Sequence, residues 1–448
     1  MTKNIYCEAL GCPKNDVDIS HIQGTLLKLH HNIVSQPEMA DTIIINTCSF
    51  IEAASKESIQ RILELSEYKQ TGHCQKLIVA GCLVERYSTD IQSALPEVDF
   101  FLGTGGLDHI QSAIEIDNQD DKLFTPSPKK AHTFRHQAPR LFPKDQKTAY
   151  IRIAEGCSLH CTYCIIPKLR GPYQSVPIEY ILNDFNHCLN ADIKEIILVA
   201  QDTASYGKDL QHSNMTLSRL LIQLAEKIES LNCKTRIRIL YMNPQHIDDT
   251  LIQTIKRYTS ICPYVDMPIQ HACDDILKTM NRPYTKTDLY RLIEKMRSNI
   301  PNIALRTSLL VGFPGEKENQ FQELIDFVQN IQFDHLGVFD YSDSDDLASH
   351  HIKDHVDDME KEARHHELMT CQADISYQRQ QRYVGQVLDV LTEELSDDDP
   401  PLREGRTVFQ APEIDGLTLI AGHKVEQGKI YPVRITQAMH YDLLGEIM

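Results

Sequence analysis

Residues 1–116 carry the strongest constraint on how this chain folds. An apolar β-like run, a turn and a helical stretch follow one another there again and again. The runs are NIYCEAL (4–10), TIIINT (42–47), KLIVAG (76–81) and VDFFLG (98–103), with helical segments such as VDISHIQGTLLKL and EAASKESIQRILEL between them. Strands buried on both faces need no polar alternation, so this pattern predicts a parallel α/β sheet. Three of the runs finish in cysteine: ALGCPKN at Cys12, INTCSF at Cys48 and VAGCLVE at Cys82. A parallel sheet gathers its carboxyl ends at one edge, where such folds bind ligands. The three thiols are either buried packing residues or ligands of one shared group, and their equivalent placement favours the shared group. Cys74 is the rival ligand; Cys7, Cys188, Cys233, Cys262, Cys273 and Cys371 read as packing or incidental residues.

The stretch 117–146, DNQDDKLFTPSPKKAHTFRHQAPRLFPKDQ, loses periodicity and gains Pro and charge, and reads as a linker. A second α/β series occupies 147–378, with candidate strands TAYIRIAE, EIILVA, TRIRILYM, YVDMPI, IALRTSLLV and HLGVFDYS. Six strand–helix units suit a partial (β/α)6 barrel, not a closed eight-stranded one. A long trailing helix is expected over 351–381, with Ile352, Val356, Met359 and Ala363 on one face. From 379 to 448, short runs (VGQVLDVL, TVFQA, LTLIAG, YPVRIT) between Gly, Pro and Asp predict a small antiparallel β-barrel. SDDDPP (396–401) reads as a loop. The histidines of SHHIKDH and RHH lie in a charged helical stretch and read as a solvated face.

A second cysteine set, Cys157, Cys161 and Cys164, follows the first strand of this second series. Thiolates select zinc or iron–sulfur clusters. Structural zinc wants a closed fourth position, and His160, adjacent to Cys161, is the one local candidate for it. A four-iron cluster on three thiolates leaves one iron free for an exchangeable ligand. The string CSLHCTYC is similar to the C-x3-C-x2-C loop of radical S-adenosylmethionine (SAM) enzymes. That resemblance implies SAM chelated at the open iron and cleaved by an electron to a 5′-deoxyadenosyl radical. It also implies a SAM pocket from the polar turns at other strand ends: Gln201, Asp202 and Thr203 of AQDT, and Gly312 of VGFPGE. Taken alone, GFPGE is a tight turn and His271 of IQHA a hydrogen-bonded structural histidine.

Two three-cysteine sets followed by a small β-barrel resemble the radical-SAM methylthiotransferases over essentially the whole chain. The resemblance implies two 4Fe–4S clusters, the first on Cys12, Cys48 and Cys82 and the second on Cys157, Cys161 and Cys164. It also implies two SAM molecules per turnover, an external electron donor, and a sulfur donor that the sequence does not name. Within that family ALGCPKNDVD, CIIPKLRG, QDTASYG and APEIDG are similar to the branch that methylthiolates the β-carbon of an aspartate of ribosomal protein S-twelve; the tRNA-adenosine branch typically reads G-C-Q-M-N at the first motif. The final barrel resembles a TRAM domain, usually an RNA-binding module.

Charge bears on that choice. The chain carries a formal −18, and residues 380–448 hold six Lys/Arg against twelve Asp/Glu. An RNA clamp is expected to be basic, whereas an acidic barrel suits a basic ribosomal protein. Nucleic acid is therefore not the expected substrate. The remaining rivals are methylthiolation of tRNA, an iron–sulfur electron carrier and a zinc-binding structural protein. No apolar run reaches the ~18 residues of a membrane span and the N-terminus lacks a signal-peptide core, so the expected compartment is the cytoplasm.

Overall fold

The computed structural model describes residues 2–116, 122–128, 140–143, 145–210, 214–395, 402–422 and 425–448. Strands β1 (Asn4–Ala9), β2 (Asn32–Ile33), β3 (Thr42–Thr47), β4 (Lys76–Gly81), β5 (Phe100–Leu102) and β6 (Leu123–Phe124) form one sheet in the order β2-β1-β3-β4-β5-β6. Every pairing is parallel. Ala9 lies opposite Asn46 and Thr47 opposite Gly81, so the carboxyl ends of β1, β3 and β4 are level. Both faces are covered by apolar layers, which is why the strands read as unbroken apolar runs. Two edge strands escape the sequence pattern because each has only two residues. One of them, Leu123–Phe124, lies in the stretch read as a linker and pairs with β5. Residues 117–121, 129–139 and 144 of that stretch lie outside the described residues.

The central unit holds β7 (Thr148–Arg152), a short hairpin of β8 (Ala154–Glu155) and β9 (Gln174–Ser175), then β10 (Glu195–Val199), β11 (Arg236–Ile239), β12 (Tyr264–Asp266), β13 (Ala304–Val311) and β14 (His335–Asp340). Two parallel three-stranded sheets, β7-β10-β11 and β12-β13-β14, meet at a bridge between Ile237 and Ile261. The result is an open six-stranded barrel, as the six-unit pattern predicts. Helices pack on its outer face. Tyr150, Ile197, Val199 and Tyr264 pack instead against Val17 of the first domain and Phe409, Ala411 and Val433 of the last.

The last domain is a closed barrel of β15 (Val387–Leu395), β16 (Arg403–Arg406), β17 (Thr418–Ala421), β18 (Ile430–Ala438) and β19 (Leu443–Ile447), antiparallel except for the β17–β19 seam. TVFQA is not a strand. Gln410 Oε1 accepts from Thr407 N and from the hydroxyls of Thr407 and Thr418, folding 407–410 into a turn whose carbonyls receive Arg238 and His335. Tertiary contacts override β propensity there. The loop expected at 396–401 lies outside the described residues.

The trailing helix is Asp358–Gln380, capped by Asp357. Ile352 and Val356 precede it, and Met359 and Ala363 face solvent. The buried face carries Arg364, Gln372 and Ser376, which bond Glu316 and the backbone carbonyls of Phe333 and Asp334. Leu368 and Ile375 are buried among them and join the apolar core, so the expected stripe Ile352, Val356, Met359 and Ala363 is not the one that packs.

An ion cluster ties the last domain to the barrel. Glu195, fully buried, receives Arg236 Nη2 at 2.6 Å, Arg238 Nε at 2.6 Å and Arg406 Nη1 at 2.8 Å. Burial alone would raise this carboxyl, but the three guanidiniums outweigh it and hold the group well below the usual carboxylate range. Because the folded value is depressed, the stabilisation is complete above the ordinary carboxylate pKa and drains away only as pH falls into strong acid. Glu195→Gln leaves Arg236 and Arg238 without a carboxylate among the described residues. It is expected to cost about 3–5 kcal/mol, read as a lower urea midpoint, with the loss disappearing in strong acid.

Candidate active site between two cysteine sets

The first set sits where the level strand ends meet their helices. Cys12 caps the helix Pro13–Lys28, with Pro13 at the first helical position. Cys48 follows β3 directly, and its backbone N–H and carbonyl are both held by Ser58 Oγ. Cys82 opens the helix Cys82–Ala94. Two glycines make the approach possible. Gly11 has φ +87°, and a Cβ there would sit 2.4 Å from Cys48 Cβ and 2.8 Å from its sulfur. Gly81 has φ +99°, and a Cβ would meet Asn46 Oδ1 at 2.3 Å. Asn15 Nδ2 donates to the carbonyls of Leu10 and Thr47, pinning the ends of β1 and β3 together.

Burial pushes the Cys82 thiol up to about 12, with Cys12 and Cys48 adding to the shift and Arg170 opposing it. The Cys48 thiol is raised by burial and by Cys12. A thiolate in this place therefore needs nearby positive charge. Arg170 Nε lies 3.3 Å from Cys82 Sγ and supplies part of it. Cys74 does not belong to the set. It precedes β4, at the opposite end of the strand from Cys82, and packs in the core.

The second set lies on the loop after β8. Gly156 (φ +72°) starts it; a Cβ would lie 2.3 Å from the Pro172 carbonyl oxygen and 2.5 Å from that of Gly171. Cys157 N donates to Gly171 O and Thr162 N to Met280 O, holding the loop from two sides, and Cys164 N donates to Cys161 O within it. Burial pushes the Cys164 thiol up to about 12, with Cys161 and Cys157 adding to it and Arg282 opposing. Cys157 is likewise raised by burial. Arg282 is anchored by Tyr163 Oη at 2.6 Å. His160 is exposed, with only its carbonyl engaged, by Asn281.

Three buried or half-buried thiols with a guanidinium alongside, and no imidazole or carboxylate in the set, suit an iron–sulfur cluster better than a harder ion. Among the described residues no three His, Cys, Asp or Glu side chains close around a single metal ion. A cluster spaces its thiolates more widely, because each binds a different iron.

The two sets face one another across a buried ion network. Arg152 Nη1 bonds Asp18 Oδ1 at 2.6 Å and Glu155 Oε2 at 2.8 Å. Arg170 Nη1 reaches Asp18 Oδ2 at 3.1 Å and Glu155 Oε2 at 3.5 Å, and its Nη2 bonds Asn15 Oδ1 at 2.6 Å. All four charged side chains are at most 3% exposed. A second tie lies at the rim, where Arg86 forks onto Asp346 at 2.8 and 3.0 Å. Leu347 packs with Cys82 and Ile165, the residue after Cys164, and Ser349 N donates to Thr162 O inside the second loop.

The residues expected around SAM take distinct positions. Gln201 Nε2 donates to Glu155 Oε1 at 2.9 Å, while its Oε1 is buried with no partner, an orphan acceptor two links from Cys157. Asp202 accepts from Ser205 Oγ and Asn243 N and lies 2.6 Å from His246 Nδ1. Thr203 Oγ1 donates to the carbonyls of Leu240 and Tyr241. Gly312 has φ +70° and its N–H is held by Glu316, which also faces His271 at 3.5 Å. Sequence reasoning missed Asp18, Arg152, Glu155, Arg170 and Arg86. The available signal was charge in a buried strand: Arg152 and Glu155 lie within TAYIRIAE, and Arg170 ends CIIPKLR.

With this geometry in view, three family models match: an uncharacterised protein family designated UPF0004 over residues 4–103, the radical SAM superfamily over 151–328 and the TRAM domain over 384–448. A relative from Clostridioides difficile named ribosomal protein uS12 methylthiotransferase RimO is 41% identical, covering 99% of this chain and 98% of its own. One of the same name from Geobacter sulfurreducens is 42% identical over 98% and 97%. The chain belongs to the uS12 methylthiotransferase family. Among solved structures, the radical SAM methyltransferase TsrM from Kitasatospora setae superposes with TM-score 0.55 at 11% identity, covering 75% of this chain and 73% of that one, a likeness of fold alone. The two cysteine sets of this uS12 methylthiotransferase-family chain fall in the first two matched regions. No helix among the described residues is long and apolar enough to cross a membrane.

Removing Arg170 leaves two buried carboxylates sharing one arginine. Arg170→Met is expected to cost about 3–5 kcal/mol in urea unfolding. Arg170→Lys keeps the charge but loses the fork, and an intermediate loss is expected.

Proposed function

We propose that this protein is a radical-SAM methylthiotransferase that modifies the β-carbon of an aspartate of uS12. The observation that carries the reading is the pair of three-cysteine sets linked through one buried ion network, within a chain 41% identical to a named uS12 methylthiotransferase. On this reading Cys12, Cys48 and Cys82 hold one 4Fe–4S cluster and Cys157, Cys161 and Cys164 the other. When bound, these groups supply an open iron for SAM, the electron that cleaves it and a site for the sulfur to be inserted, with two SAM molecules consumed per turnover.

The chain's own residues do the rest. Arg170 and Arg282 offset the charge of buried thiolates beside them. Gln201 offers its orphan carbonyl oxygen to SAM, and Asp202, Thr203 and Gly312 shape the floor of the same pocket. The functional units are 1–116, 147–378 and 379–448, joined by 117–146. An external reductant and a sulfur donor complete the reaction.

The last domain supports a basic protein substrate over tRNA. Arg406 is buried on Glu195, Arg403 bonds the carbonyls of Val425 and Glu393, and Arg382 pairs with Asp334. Few cations of an already acidic barrel are left for a phosphate backbone. An electron carrier has no use for an orphan polar pocket beside an open three-thiol set.

The test is a competition. The reconstituted protein, SAM and reductant receive uS12 and tRNA together, and both are recovered for mass spectrometry. A methylthio group on the uS12 aspartate, absent with Cys157→Ala, is the expected result; the same group on tRNA adenosine would overturn the substrate reading. Iron content is expected at about eight per chain, falling to about four in Cys12→Ala and in Cys157→Ala.

A further inference from the structure

Lys14 lies beside the first cysteine set, and it is 9% exposed. The other buried cations of the interface have carboxylates: Arg152 and Arg170 share Asp18 and Glu155, and Arg86 has Asp346. Lys14 has no carboxylate partner among the described residues. Its ammonium rests 4.0 Å from the ring centroid of Tyr241. A cation–π contact offsets only part of the cost of burying an ammonium without a counter-charge. An unpaired buried lysine is an anomaly that an absent anion would resolve.

Its position says where that anion goes. Lys14 follows Cys12 by two residues in the first turn of Pro13–Lys28, and its charge is felt at Cys48. Tyr241 follows the carboxyl end of β11, on the rim where the second cysteine loop also begins, and is fixed there by its N–H on Asp266 Oδ2 at 2.9 Å. The ammonium is thus placed between the first thiol set and the mouth of the barrel. A side chain that is to receive sulfur from the first set and lose hydrogen to the second must enter at this place.

We propose that Lys14 is the specificity residue that binds the carboxylate of the substrate aspartate, with Tyr241 holding the ammonium ready until the substrate arrives; this rests on the aspartate reading above. The group to be modified is the carbon next to that carboxylate. Clamping the carboxylate fixes the carbon's position, and a neutral side chain of the same shape loses the charged partner.

The test measures binding of intact uS12 to the full-length reconstituted protein by fluorescence anisotropy, with uS12 carrying either its target aspartate or asparagine there. A charge-assisted hydrogen bond corresponds to a preference of about 10- to 100-fold for aspartate. Lys14→Met is expected to abolish that preference and Lys14→Arg to restore part of it, with iron, sulfide and the visible spectrum unchanged in both. A purely structural lysine would not move the aspartate-to-asparagine ratio. An unaltered preference in Lys14→Met, or loss of the first cluster's iron, overturns the assignment and makes Lys14 a packing or cluster counter-charge. Failure of the unsubstituted protein to bind uS12 in either form would instead sink the substrate reading, and this one with it.

Discussion

The crossed pairing of Asp18 and Glu155 with Arg152 and Arg170 is the interaction on which the rest of the molecule depends. Asp18 lies on the helix that begins at Cys12, and Glu155 lies two residues before Cys157. Arg170 closes the helix after the second cysteine loop and reaches back to Cys82. One compact, charge-balanced network is therefore bonded to the beginning of each cysteine set and to the end of the first. Four ions so deeply buried add little net stability over an apolar interface of the same shape. Their directional bonds fix how the two domains meet, which apolar side chains would leave loose.

That fixed meeting gives a reason for the sets having three thiols each. A fourth protein ligand would saturate the site and turn it into a staple. On the proposed reading, one open position on each side of the same interface would give two reactive places for one substrate atom. The arginines beside the thiols, Arg170 and Arg282, offset the repulsion that burial would otherwise magnify. The last domain plays a different part. It docks on the inner face of the barrel, where its Arg406 joins the barrel's own Arg236 and Arg238 on Glu195 and is thereby turned inward.

Much of this was legible in the residues. Strands of a doubly covered parallel sheet are apolar throughout, so β1, β3, β4 and the barrel strands announce themselves, and the thiols at their ends come to one edge by topology alone. What stayed hidden is what depends on partners far away in sequence. Asp18 meets Arg152 across 134 residues and Arg170 across 152, and periodicity sees nothing at that range. TVFQA looked like a strand, but Gln410, Arg238 and His335 take its backbone groups. The stripe of Ile352, Val356, Met359 and Ala363 misled because the helix begins only at Asp358 and buries a different, mixed face of Arg364, Leu368, Gln372 and Ile375. Cys74, a plausible ligand by spacing, is excluded by which end of β4 it occupies. Gly11 and Gly81 could be read as turn residues, but only the coordinates show that a side chain at either would strike the neighbouring strand end.

The Asp18–Arg152–Glu155–Arg170 network ties the two thiol sets together. Pulsed EPR on the reconstituted protein, with the two proposed clusters reduced, measures how close it holds them. Strong mutual relaxation enhancement between the two signals is expected in the unsubstituted protein, weakened in Arg170→Met while both signals are retained. Two magnetically independent signals in the unsubstituted protein would overturn this arrangement.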